Sequence, residues 1–244
     1  PDFSLLGSLK KEDEYKISTI PQRRSFDLNK ITWSALPGTK IEGESVAKLL
    51  NSELLVQGKA SALEIQKRNS PKILHIASHA FYLEKQYENK SFNNKEDFSS
   101  QKNKSNIKKY DNPLLRSGIV LAGANKAILN TSDDGYLTAL EVTKLNWKNT
   151  ELVVVSGCES GKGDIKSGEG VYGLKRAIAV AGARSSLLSL WKVDDKATAS
   201  FMENYYLKLK RGEGRAEALA NAQKEFRNHP IKAWRHPYVW AAFQ

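Results

Sequence analysis

Two apolar runs in the chain each lead into a residue able to do covalent or proton chemistry. KILHIA (72–77) runs into Ser78-His79-Ala80, and LVVVS (152–156) runs into Gly157-Cys158-Glu159. Short continuous apolar runs bounded by small residues read as buried strands. In open α/β sheets, ligands bind beyond the carboxyl ends of the strands. His79 and Cys158 therefore stand where chemistry is expected, and they face one another if the two strands are neighbours. A thiol with a pKa of about 8.5 is only partly ionised at neutral pH and gains reactivity from an adjacent imidazole. The small flanking residues leave the backbone N–H groups of Ala80 and Cys158 able to meet an oxygen that develops negative charge. Taken singly, a lone Cys is usually a small buried hydrophobe. A pair at matching strand ends favours nucleophilic catalysis.

The surrounding sequence alternates strand and helix signals. Strands are expected at Ile31–Leu36, Leu54–Gln57, Lys72–Ala77, Ser117–Ala122, Leu152–Ser156, Arg184–Leu190 and, as an aromatic closing strand, Tyr238–Phe243. Helices are expected near Glu44–Leu50 and Ser61–Arg68. Thr138-Ala-Leu-Glu141 has the spacing of a capping box and opens a helix to about Leu145. The apolar positions Val171, Leu174, Ala177, Ile178 and Ala181 mark a helix stopped by Gly182. Two helical faces follow, Phe201/Met202/Tyr205/Leu209 and Ala218/Leu219/Ala222/Phe226. Apolar strands alternating with helices predict a mostly parallel central sheet covered by helices on both faces, a three-layer α/β sandwich.

Composition narrows the function classes. The 244 residues suit one large domain or two small ones, and are ample to bury a real core. Cys158 is the one cysteine, which excludes a disulfide framework and an all-Cys metal site and suits a reducing, cytoplasmic setting. No apolar run approaches the roughly 18 residues of a membrane span, and the polar start lacks a signal-peptide pattern. A chain that opens on Pro1 and holds a single methionine, Met202, reads as a piece of a longer polypeptide. Residues 84–112, rich in Asn, Lys and Ser, read as a flexible insertion, and 1–30 as an N-terminal extension. The formal charge of +11 falls mostly on helical patterns in the last third. No zinc-finger spacing or RNP-type aromatic motif accompanies it, so a solvated basic face is expected and no nucleic-acid partner.

Three other motifs fail on spacing. Gly168-Glu-Gly170-Val-Tyr-Gly173 fits GxGxxG, but the fingerprint needs its glycines directly after a strand, and LVVVS ends at Ser156. The run Gly157-x-x-x-Gly161-Lys162-Gly163 is one residue short of a P-loop and lacks Ser/Thr after the Lys. His75 and His79, four residues apart on a strand, lie roughly 13 Å apart, too far to chelate one ion. His75 reads as a satisfied core histidine, and no metal or cofactor is expected.

LHIASHAFYL, ELVVVSGCESGKG, GEGVYGLKRAIAVAGARSSLLSLWKVDD and HPYVWAAF, in that order, resemble the CHAT domain. This is the caspase-like peptidase domain associated with tetratricopeptide repeats, in the clan of caspases and separase. The resemblance implies a single caspase-like domain over 1–244 that hydrolyses peptide bonds. Cys158 would be nucleophile, His79 acid/base, and the N–H groups of Ala80 and Cys158 the oxyanion donors. Family members commonly carry Gly where this chain has Ala80. Metacaspase-type relatives place an acid two positions before the Cys, here Ser156. Separase-like relatives use an acid in a motif similar to Trp191-Lys-Val-Asp-Asp195. The resemblance thus points to a pocket for a basic P1 residue around Asp195, with Asp194 as fallback. Capping of the helix that starts near Lys196 is an equal claim on either Asp. The expected partners are a protein or peptide substrate and a regulatory region, such as tetratricopeptide repeats, outside this stretch. The resemblance also suggests a bacterial defence or regulated-death role. The competing reading is a catalytically silent caspase-like scaffold.

Overall fold

The computed structural model describes Pro1, Leu28 and residues 31–83, 112–126, 134–157 and 169–244. Cys158, the insertion up to residue 111, most of the extension and the glycines 161, 163 and 168 lie outside the described residues.

The LVVVS run forms the middle strand of a parallel sheet. Strand β1 (Ile73–Ile76) pairs with β5 (Leu152–Val155), which pairs in turn with β6 (Ser186–Leu188), giving the order β1-β5-β6. Side chains alternate faces along a strand, and here each face meets its own helices. Leu152, Val154 and Leu187 join the core built on α1 (Pro37–Leu50), α5 (Asp195–Lys210) and α6 (Arg215–Phe226). Val153, Val155 and Leu188 join the core on the other side, with α2 (Ala62–Gln66), α3 (Ala139–Val142) and α4 (Glu169–Val180). Burial on both faces is why β5 reads as an unbroken apolar run rather than an alternating one.

A second sheet is antiparallel: β2 (Ala80–Tyr82), β3 (Ser117–Val120) and β4 (Tyr136–Thr138), in the order β2-β3-β4. The chain passes from β1 into β2 through Ser78-His79, so His79 sits at the joint between the sheets. Fully buried Ser78 ties the joint to β3 by donating its hydroxyl to the Val120 carbonyl.

Helix boundaries follow local signals. Thr138 and Glu141 form the capping box that opens α3. Ser61 caps α2 by accepting from the Glu64 N–H. The α4 helix is followed by Gly182 at φ +103°, a conformation that side chains rarely adopt. Three expected strands are not strands. Ile31–Leu36 is irregular, Leu54–Gln57 has no ladder partner among the described residues, and Tyr238–Phe243 begins in the short helix α7 (Pro237–Trp240). Pro237 at the first helical position and the His236 ring accepting from the Tyr238 N–H set that helix. The end of the run does reach the sheet: Phe243 bridges Ser189 antiparallel, flanked by Leu190 N–H donating to the Ala242 carbonyl and by Leu188 and Gln244 exchanging backbone hydrogen bonds at 3.0 and 3.1 Å.

The α5 helix carries the aspartates of the WKVDD motif at its start and is anchored by Phe201, which has no solvent exposure. The Phe201 ring stacks on Phe243 at 4.5 Å and meets the edge of Phe226 at 5.0 Å. Phe201→Ala is expected to destabilise the fold by about 3–5 kcal/mol, read as a lowered midpoint in urea unfolding at unchanged slope.

Candidate active site

The register of β1 and β5 decides what meets at the carboxyl edge. Ile76 lies opposite Val155, and the Ser156 N–H donates to the Ile76 carbonyl at 3.1 Å. One residue further, the backbones crowd together: a Cβ placed on Gly157 would fall 1.2 Å from the Ser78 carbonyl oxygen. Only a residue without a side chain can stand there. The two chains therefore leave the sheet in step, one into His79 and the other into Gly157 and the residue after it.

The His79 ring is nearly buried and is held by a carbonyl. Its Nε2 lies 2.8 Å from the Ser34 backbone oxygen. A carbonyl only accepts, so Nε2 carries the proton, and in the neutral ring the basic lone pair is then on Nδ1. Ser34 is itself exposed, and its position comes from its neighbour. Asn125 clasps the Trp33 backbone on both sides, accepting from its N–H at 2.8 Å and donating to its C=O at 2.9 Å. The Trp33 indole donates to the Tyr136 hydroxyl at 2.9 Å and packs 5.3 Å from the His79 ring. An irregular segment thus has a fixed path, and its carbonyl fixes the imidazole.

Burial pushes the His79 pKa below the usual histidine value, with the nearby charge of Lys192 acting in the same direction. The Ser34 carbonyl and the Asp195 carboxylate oppose the shift without reversing it. The imidazole is therefore neutral at pH 7, the form that can take a proton.

His79, Ser156, Gly157 and Asp195 line one cleft, together with Glu42, Thr198 and Lys192. Its volume is about 20 Å³, room for little more than one water. The Ser156 hydroxyl is buried beside it with no hydrogen-bond partner among the described residues. The two aspartates have different surroundings. Asp194 is the cap of α5, its carboxylate accepting from the N–H groups of Lys196 and Ala197 at 3.1 and 3.0 Å. Asp195 lies in the cleft and accepts from the Gly38 N–H at 3.3 Å, satisfying an open donor at the start of α1. Ala80 stands at a non-bonded position of its ladder. Val120 donates to the His79 carbonyl and Leu83 to the Arg116 carbonyl, so the intervening Ala80 N–H points away from β3. Trp191 is not among the cleft residues; its indole donates to the Tyr238 carbonyl at 2.7 Å.

Glu42 was not among the expected residues, and it is buried at the cleft. Its Oε1 lies 3.0 Å from His75 Nε2, while His75 Nδ1 lies 3.1 Å from the Tyr206 hydroxyl. Burial raises the Tyr206 pKa well above 10, so the phenol keeps its proton and donates to Nδ1. His75 then donates from Nε2 to Glu42. Its signal in the sequence is a carboxylate on the buried stripe Gly38, Glu42, Val46 of α1, spaced four apart. The Ser34 carbonyl has no such signal, since any residue type supplies one.

A nuclear magnetic resonance titration of the His79 ring should give a midpoint below 6.5. Because the folded pKa lies below the unfolded one, the unfolded chain binds the proton first as pH falls. This group's stability contribution is complete above about pH 6.5 and is lost as pH drops to the folded midpoint. His79→Gln should remove that part of the acid-side slope. A midpoint at or above 6.5 would contradict the environment described.

The sequence matches the CHAT domain over residues 9–244. It is also similar to tetratricopeptide repeat protein 28 of Homo sapiens, 35% identical over 107 residues, and of Mus musculus, 33% identical over 107 residues. Those stretches cover 44% of this chain and 4% of each relative, which are far longer proteins. Among the described residues, no helix is long and apolar enough to cross a membrane. With the family matched over nearly the whole length, the chain belongs to the CHAT domain family, a caspase-like, peptidase-related group.

Proposed function

We propose that the protein is a cysteine endopeptidase with Cys158 as nucleophile and His79 as its acid/base. The observation that carries this reading is the His79 imidazole, neutral and fixed by the Ser34 carbonyl, beside a strand pair whose register leads to Gly157. Cys158 is the next residue in the chain. The thiol attacks the scissile carbonyl carbon and passes its proton to His79 Nδ1, while Nε2–H stays on Ser34. The N–H groups of Ala80 and Cys158 hold the oxyanion. Collapse breaks the C–N bond, and His79 returns the proton to the leaving amine. Water, deprotonated by the same nitrogen, then hydrolyses the thioester and restores the thiol.

Asp195 and Ser156 would read P1. A carboxylate and a buried hydroxyl with no partner among the described residues favour a cationic side chain, so Arg or Lys is expected there. Activity would be gated by a partner, by repeats elsewhere in the polypeptide, or by processing within 84–112. The second reading is a silent caspase-like scaffold. A role in defence or regulated death, in a bacterial cytoplasm, rests on the resemblance alone, and the two relatives above are mammalian.

A fluorogenic peptide panel varied at P1 separates these readings. Wild type should cleave after Arg or Lys, Cys158→Ala should be inactive, and Asp195→Ala should lose the basic preference with the fold intact. Cleavage surviving in Cys158→Ala would remove the nucleophile assignment. Well-folded wild type that cleaves nothing, even with its repeat region present, would favour the scaffold.

A further inference from the structure

The proposed mechanism leaves Glu42 without a role. This residue is 2% exposed, stands on the buried stripe of α1 with Gly38 and Val46, and lines the same cleft as His79 and Asp195. Burying a carboxylate is costly unless hydrogen bonds and a counter-charge meet it. The hydrogen bond is present. Fully buried Tyr206 donates to His75 Nδ1 at 3.1 Å, and His75 Nε2 donates to Glu42 Oε1 at 3.0 Å. Both donors point towards Glu42, so the carboxylate is the acceptor at the end of the chain. A histidine whose Nδ1 accepts is neutral, and it brings Glu42 a hydrogen bond without a positive charge.

Glu42 and Asp195 stand at different depths. Asp195 accepts from the Gly38 N–H in the first turn of α1 at 3.3 Å, and its charge reaches His79. Glu42 lies four residues further along α1, about 6 Å down the helix axis. The strand repeats the order, since Glu42 is bonded to His75, four residues before His79 at the sheet joint. Helix and strand therefore both lead inward from the carboxyl edge, with Asp195 at the mouth of the cleft and Glu42 at its inner end. Thr39 on α1 and Thr198, one turn after Asp195 on α5, add hydroxyls to the walls.

Two carboxylates in line along a cleft that begins at an imidazole suit a long side chain with a positive end. A cation held at the mouth would meet Asp195 alone. One carried inward on a straight aliphatic stem reaches Glu42 and supplies the counter-charge that His75 does not. The exposed Lys192 also lines the cleft, and its flexible stem lets it give way to an entering cation.

We propose that Glu42 is a specificity-determining residue that binds the charged end of a basic P1 side chain at the inner end of the cleft, with His75 and Tyr206 as the positioning residues that hold its carboxylate. This rests on the reading of the cleft as the P1 pocket, but not on turnover, because binding alone expresses it.

Binding to Cys158→Ala protein tests the proposal, using acetyl-Ala-Ala-Arg-Ala-Ala amide and the same peptide with citrulline in place of Arg. Citrulline keeps the shape of Arg without its charge. Calorimetry should show the Arg peptide bound more tightly, and adding Glu42→Gln should cut the Arg-to-citrulline affinity ratio by at least about tenfold. Gln has the size of Glu, and its amide oxygen still accepts from His75 Nε2, so the substitution removes the charge alone. A carboxylate with a merely structural role would, on replacement, weaken both peptides alike and leave the ratio unmoved. An unchanged ratio overturns the proposal while leaving the basic P1 pocket to Asp195. No preference for Arg, or no binding of either peptide, overturns it together with the P1 reading. The nucleophile assignment is decided separately, by cleavage with wild type. Should the Glu42→Gln protein fail to fold, the carboxyl carbon resonance of Glu42 in the Cys158→Ala protein decides. It should shift with the Arg peptide and not with the citrulline one; equal shifts, or none, are contrary.

Discussion

The in-step pairing of β1 with β5 is the constraint on which the site depends. Parallel strands have one register at a time, and a slip of one residue would turn every side chain to the other face. Here Val153 and Val155 must face α4 while Leu152 and Val154 face α5. Burial on both sides forbids a slip, so the register at Ile76 and Val155 is held by the whole core. Gly157 then lets the two chains come close enough to leave the sheet together. Chemistry at the edge is positioned by packing several residues back.

Around that edge, the polar groups are divided between structure and cleft. Asp194 serves the α5 terminus, and Asp195 serves the cleft while satisfying the first turn of α1. His75 on β1 links Tyr206 to Glu42, so the cleft has two carboxylates with different supports. The two histidines of LHIASHA thus differ in role through environment. His75 has both ring nitrogens in buried hydrogen bonds, and His79 has Nε2 on a carbonyl at the sheet joint.

The parallel sheet was legible because its strands are apolar on both faces and its helices carry local punctuation. LVVVS, KILHIA, the Thr138 capping box and Gly182 all lie in the elements they announced. Elements that depend on distant partners were less so. Ser117–Ala122 reads as a strand, but nothing local says that it pairs antiparallel to β2. The aromatic run Tyr238–Phe243 has strand composition, yet Pro237 and the His236 cap turn its start into a helix. Within the candidate site, residues carrying distinctive side chains, His79 and Asp195, could be named from sequence. The carbonyl of Ser34 could not, because its role depends on a clasp from Asn125, which lies 92 positions from Trp33.

In the proposed mechanism His79, held by Ser34, activates the thiol of Cys158. The most direct test is the rate at which iodoacetamide modifies Cys158 between pH 5 and 9, in wild type and in His79→Ala. The account predicts a rate at pH 7 lower by at least about tenfold in the variant, with the wild-type inflection near the His79 midpoint gone. Identical rates and identical pH profiles in the two proteins would contradict it.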